Sequence, residues 1–311
     1  MGTRSLSELS PTELDFPWRW RALLKRWLLQ PRPLQLGLLS LAVLLLLAIV
    51  GPFVVPYHPT KINMAIKIKA PSAEHWLGTD QLGRDVLTRA IYGVRLSMLV
   101  GLGGVLPAVI IGMTLGIVAG YFGGWLDESL MRLTDVFLSF PLLILAMGMS
   151  VSMGRGLPNA TVAMVLTLWP VYARLVRSQA LVIRTKEFVE AARSVGMPPL
   201  KIIWRHLVPN CPDAAIAQAS QDLGTVIVVV ASLSFLGMGA QPPMPEWGAM
   251  ILEGRQYLRE GWWISTFPGM LMFLVVTTFT LLGDGLRDRL DRGHGGVESI
   301  GVAPPHKKVN L

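Results

Sequence analysis

The chain has 311 residues, of which 52% are hydrophobic and only 15% charged. Soluble domains carry about 25% charged residues, so an ordinary soluble globular domain is excluded and an integral membrane protein indicated. The formal charge of +8 raises nucleic-acid binding as a class. The Lys and Arg residues, however, lie between long apolar runs, where a membrane protein also places them. The single cysteine, Cys211, excludes an intramolecular disulfide.

A bilayer-crossing helix needs about 20 mostly apolar residues. Six segments meet this length: 34–55, 96–120, 132–153, 157–177, 214–239 and 264–283. The fourth is interrupted by Pro158 and Pro170. Arg19, Arg21, Lys25 and Arg26 precede the first run like the basic region of a secretory signal. The run is too long for a signal core, and "VGPFVVPY" offers no small-x-small cleavage site, so a retained first helix is expected. With a cytoplasmic N-terminus, 19 of the 28 Lys and Arg fall in inside segments and 9 in outside ones. This bias predicts both termini and the 178–213 loop in the cytoplasm.

The expected fold class is therefore an all-α integral membrane protein with about six transmembrane helices. Residues 1–33 form a cytoplasmic N-terminal segment, 34–55 the first transmembrane helix and 56–95 an extracytoplasmic loop. Residues 96–291 form the core, including the 178–213 loop, and 292–311 a cytoplasmic tail.

Within the second run, Gly112, Gly116 and Gly120 share one helix face, the pattern by which a neighbouring helix packs closely. In the fifth, Gln218, Gln221, Asp222 and Thr225 follow helical spacing and form a polar stripe. An ionisable group at that depth should face protein or water. Two readings fit the stripe: it lines a translocation path, or it clamps helices by hydrogen bonds. Asp135 is expected at an interface. Met147, Met149 and Met153 read as adaptable packing rather than soft-metal ligands. The histidines at 58, 75, 206, 294 and 306 have no ligand spacing. Trp18, Trp20, Trp27, Trp247, Trp262 and Trp263 fall where an aromatic belt is expected.

No phosphate-binding G-x-x-x-x-G-K-[ST], H-E-x-x-H, C-x-x-C or G-x-S-x-G motif occurs. Catalysis by this chain is not expected. Uphill movement of a solute would have to draw on an ion gradient or on a partner.

The most informative segment is 186–210, "KEFVEAARSVGMPPLKIIWRHLVPN". Phe188, Ala191, Ala192 and Val195 follow helical spacing and predict an apolar stripe on a short helix. Gly196 at the helix end, then Pro198 and Pro199, make a stop and restart. A second helix follows, carrying Ile202, Ile203 and His206 on one side. A cytoplasmic helix-turn-helix bolted at both ends to membrane helices suits docking into a cleft of another protein. A pair of solvated membrane-surface helices also fits.

"EAARSVG", nine residues, then "HLVP" resembles the EAA signature of ABC-importer permeases, with matching spacing at Glu190, Ala191, Ala192, Gly196 and Pro209. His206 and Val208 depart from its usual Ile and Leu. The "RHLVPN" ending is similar to the dipeptide/oligopeptide/nickel branch. "HWLGTDQLGRDVLTRAIYGVRLSM" (75–98), "LSFLGMGAQPPMPEWGAMI" (233–251) and "LLGDGLRDRLD" (281–291) resemble further segments of that branch, in the same order. The plan with an extra N-terminal helix resembles the second of its two permease subunits. Val230, where the branch commonly has Glu, and Asp291-Arg292, where it has Asp-Pro, depart from it.

The resemblance implies that Glu187, Glu190, Ala191, Ala192, Arg193, Gly196, His206 and Pro209 couple this chain to a cytoplasmic ATPase. It implies one or two ABC ATPase subunits holding ATP and Mg, with no cofactor on this chain. It also implies a homologous second permease subunit and an extracytoplasmic substrate-binding protein docking on 56–95 and 240–263. The chain would contact membrane lipid and no nucleic acid, in a bacterial inner membrane. Di- or oligopeptides are the leading substrate class, with nickel or nickel chelates as the alternative within the family. An ion-gradient-driven secondary transporter using Asp222, and a passive membrane scaffold, are alternatives of other classes.

Overall fold

The computed structural model describes residues 31–298, with side-chain surroundings up to residue 290. Segment 1–30, with Trp18, Trp20 and Trp27, and residues 299–311 lie outside the described residues. Among the described residues the regular elements are helical, apart from one isolated bridge between Thr79 and Asp85.

Helix α1 (Arg32–Val54) starts with Pro33 in its first turn, where a missing N–H costs nothing, and is apolar on all sides. Helix α2 (Val86–Phe122) runs for 37 residues, about 55 Å at 1.5 Å per residue, and begins ten residues before the predicted apolar run. Asp85 explains the early start, since its carboxylate accepts from the Thr88 N–H at 2.8 Å. Val86, Ala90 and Val94 then bury one face of those turns. The 56–95 loop accordingly ends at Asp85.

The predicted third span is not one helix. It is split into α3 (Gly124–Leu138) and α4 (Leu142–Met153), bent by 93°. Pro141 caps α4, and a proline both restrains the preceding residue and lacks the N–H a continuous helix requires. Helix α4 alone, at 12 residues or about 18 Å, is shorter than the roughly 30 Å hydrocarbon layer.

Helix α5 (Leu157–Ile183) keeps Pro158 in its first turn, absorbs Pro170 in its interior and outruns the predicted span by six residues. The connection 184–211 holds α6 (Glu187–Ser194), α7 (Pro199–Ile202) and a π-turn (Ile203–Leu207). Helices α8 (Pro212–Phe235), α9 (Trp247–Gly254) and α10 (Trp263–Glu298) complete the bundle. Among the described residues, five helices are long and apolar enough to cross a membrane, or six if the bent pair counts as one span.

The most extensive helix contact among the described residues is α2 along α5. A Cβ on Gly112 would lie 2.4 Å from the Tyr172 Cβ, and one on Gly116 would lie 2.5 Å from the Ala173 carbonyl oxygen. The glycine face is thus an internal helix seam. One core joins α2, α5 and α8 and continues into Val189, Ala192, Ile202 and Leu207 of the 184–211 connection. A second core gathers α1, the start of α2, α9 and α10. Trp247 and Trp263 are buried there and donate to the carbonyls of Ala90 (3.0 Å) and Thr79 (3.1 Å). They are structural pins rather than belt residues, because α2 covers Trp247 and the 78–79 turn covers Trp263.

Candidate functional site

At one end of the bundle, 184–211 forms a helix-turn-helix knob. Glu187 and Glu190 occupy the first turn of α6 and Arg193 the last, each complementing the helix dipole. Gly196 has φ +76°, which a residue with a Cβ rarely adopts. Its N–H donates to the Arg193 carbonyl at 2.9 Å, and the Met197 N–H donates to that of Ala192 at 3.1 Å, a Schellman closure. Pro199 then opens α7.

The buried seam of α6 is Val189 and Ala192, not the predicted stripe of Phe188, Ala191, Ala192 and Val195. Spacing alone allowed either face, and the underside provided by Ile202, Ile203 and Leu207 selected this one. Glu187, Glu190, Ala191, Arg193, Gly196 and Pro209 are exposed, Ala192 is buried and His206 is half-buried. Phe188, Val195, Leu200 and Trp204 are exposed despite being apolar, Trp204 to 71%. Leu200 and Trp204 escaped sequence reasoning, although the turn at Pro198 and Pro199 fixes their phase relative to Ile203.

The knob is fastened to the bundle. The Arg193 guanidinium lies 5.2 Å from the centre of the Tyr121 ring at the end of α2. Arg184 donates to the Gly120 carbonyl at 2.9 Å. The His206 ring packs 5.7 Å from Phe188, and its Nε2 is buried with no hydrogen-bond partner. The Cys211 thiol at the knob's exit is buried, and that burial pushes it up to about 11.

The polar stripe of α8 lies between helices. Asp222 is buried and accepts from the Tyr172 hydroxyl of α5 at 2.7 Å and from Gln218 at 3.1 Å. Gln221 donates to Asp284 of α10 at 2.8 Å. Thr225 is half-buried on the same helix. Arg177 pairs bidentately with Asp127, and Arg174 pairs with the exposed Asp135, which ties α3 to α5.

The opposite end holds a buried ionic network that sequence reasoning missed. Arg84 donates to Asp80 at 2.6 Å and to Glu253 at 2.5 Å. Arg89 reaches Glu253 at 3.4 Å and the carbonyls of Pro59 and Pro243 at 3.3 Å. His75 and Asp85 lie 2.9 Å apart, both buried. The network locks segment 59–85 onto α9 and the 240–246 turn. Its available signal was the density of charge in "TDQLGRD", which reads as a solvated loop unless a cover is foreseen. Glu246 caps α9 through the N–H groups of Gly248 (3.0 Å) and Ala249 (2.9 Å), and burial pushes its carboxyl above the usual range.

Comparison with known proteins agrees with this architecture. The chain is 43% identical over 255 residues to the dipeptide transport system permease protein of Alkalihalophilus pseudofirmus, covering 82% of this chain and 84% of that one. It is 42% identical over 275 residues to a glutathione transport system permease protein of Pectobacterium atrosepticum, covering 88% and 90%. It is 40% identical over 274 residues to a probable D,D-dipeptide transport system permease protein of Escherichia coli, covering 88% and 92%. Residues 112–294, which span the glycine seam, the knob and the α8 stripe, match the family of binding-protein-dependent transport system inner membrane components. The chain belongs to that family, and is an inner-membrane permease subunit of a binding-protein-dependent transport system.

Proposed function

We propose that this chain is one of two membrane subunits of an ATP-driven importer for di- or oligopeptides, and that the 184–211 knob is where a cytoplasmic ATPase drives it. The observation that carries the reading is the knob's construction. Val189, Ala192, Ile202 and Leu207 are continuous with the α2–α5–α8 core, while Phe188, Val195, Leu200 and Trp204 face outward. Exposed aromatic and aliphatic anchors on a rigid base suit a protein interface. Force applied there would pass directly into α5 and α8.

Glu187, Glu190, Ala191, Arg193, Gly196 and Pro209 would form or shape the docking surface, with Ala192 and His206 supporting it from beneath. ATP and Mg would be held by one or two ATPase subunits, and this chain would bind neither. A homologous permease subunit would complete the path, with the knob end in the cytoplasm. A loaded binding protein would dock on the 56–85 and 236–262 end, which the ionic network keeps rigid. The hydrogen bonds of Gln218, Gln221 and Asp222 support the clamp reading of the α8 stripe over a lining role. Three relatives named for dipeptide, glutathione and D,D-dipeptide transport support a peptide substrate.

The test is reconstitution with the ATPases, the second permease and the binding protein. Glu190→Lys and Trp204→Ala should insert normally but lose ATP hydrolysis stimulated by peptide-loaded binding protein. Wild-type peptide uptake by Glu190→Lys at normal expression would sink the docking assignment. Uptake by the wild-type complex of other solutes but not of peptides would sink the substrate assignment alone.

A further inference from the structure

A groove of about 560 Å³ opens between the last turns of α1, the first turns of α2 and the loop between them. Its wall is mostly apolar, with Leu46, Val50 and Val54 on one side and Leu87 and Ile91 on the other, and its one buried acid, Asp85, is held by His75. Leu46, Val50 and Val54 also belong to the exposed apolar face of α1, so the groove opens onto the face that a bilayer-crossing helix offers to lipid. From Leu46 to Val54 the helix rises about 12 Å, close to half of a hydrocarbon layer about 30 Å thick. The groove therefore has the height of one leaflet's tails.

Its mouth is built differently. Tyr57 and Trp76 stand at the rim, and Trp76 is 72% exposed. Amphipathic rings of this kind favour the headgroup level of a bilayer. Beside them Glu74 and Lys69 form an ion pair at 2.8 Å. A phosphate next to an ammonium group can exchange partners with such a pair, anion to Lys69 and cation to Glu74.

We infer that this groove is a binding site for one zwitterionic phospholipid of the outer leaflet, its tail along Leu46, Val50 and Val54 and its headgroup at Lys69, Glu74 and Trp76. The bound tail fills the space between α1 and α2 that no side chain occupies, and so fastens α1 to the core at its outer end.

The test uses the full chain in phosphatidylethanolamine vesicles doped with photoreactive phosphatidylethanolamine, with the diazirine either at the end of the tail or beside the glycerol. The end-of-tail probe should label Leu46 and Leu47, and the glycerol-side probe Tyr57 and Trp76. In Ala73→Trp, which places a ring in the groove, labelling at these sites should fall severalfold, while labelling on the open face of α2 at Leu99, Leu102, Leu106 and Ile110 stays unchanged. The same labels on both groups of residues from both probes in the wild type would overturn the proposal, whether or not the variant inserts. So would undiminished groove labelling in an inserted Ala73→Trp.

Discussion

The Tyr172 hydroxyl donates to the Asp222 carboxylate at 2.7 Å and joins α5 to α8. These are the two helices between which the 184–211 knob is strung. The bond therefore holds together the two legs that a docked partner would move. Tyr172→Phe keeps the ring and removes the donor. Stability should fall by about 0.5–1.5 kcal/mol, the scale of a hydrogen bond between helices of a folded membrane protein. Thermal unfolding in detergent measures it, and an unchanged midpoint would mean that Gln218 alone satisfies Asp222.

Gly196 tests the knob's turn. A Cβ at φ +76° costs about 1–2 kcal/mol, so Gly196→Ala should weaken coupling without abolishing it. Gly196→Pro cannot adopt that angle and loses the donor to Arg193, so it should abolish coupling. The readout is peptide-stimulated ATP hydrolysis by the assembled complex. Full stimulation with Gly196→Pro would show that the turn is dispensable.

Arg84 tests the ionic network. Arg84→Met leaves Asp80 and Glu253 with Arg89 as their remaining cation, and breaking a buried pair in this way costs about 3–5 kcal/mol. Trypsin should then cut at Lys61 and Lys67 much faster than in the wild type. Stimulation of ATP hydrolysis by the binding protein should fall, while the basal rate persists. Unchanged proteolysis would mean that the network does not hold the loop.

Glu246 predicts a pH dependence. Its folded-state pKa is raised chiefly by burial, against the opposing pull of the Gly248 and Ala249 N–H groups. A raised pKa means that the native state holds the proton more tightly. Its stabilising contribution is complete below the unfolded value of about 4.3 and is lost as pH rises through the raised one. Glu246→Gln keeps an acceptor oxygen and does not titrate. The stability of wild type relative to this variant should fall as pH rises from about 4. Unfolding of both across the acid range measures it, and a constant difference would contradict the assignment.

Much of the architecture was legible in local pattern. Long apolar runs mark bilayer-crossing helices because lipid leaves backbone groups no other partner. Gly196 followed by Pro198 and Pro199 marks the knob's turn because few residues tolerate those dihedral angles. Gly112, Gly116 and Gly120 mark a close helix seam because a Cβ there would meet the backbone of α5.

The tertiary structure alone decided which face of each element is covered and which charges meet. Val189 rather than Phe188 is buried in α6 because Ile202 and Leu207 lie beneath it. The break at Pro141 was visible as a proline, but the 93° bend depends on how α3 and α4 pack. Arg84 and Glu253 meet across 169 residues, and no pattern local to either one encodes that pairing. A charged segment between two apolar runs reads as solvated, and becomes a buried lock only when a remote part of the chain removes its water.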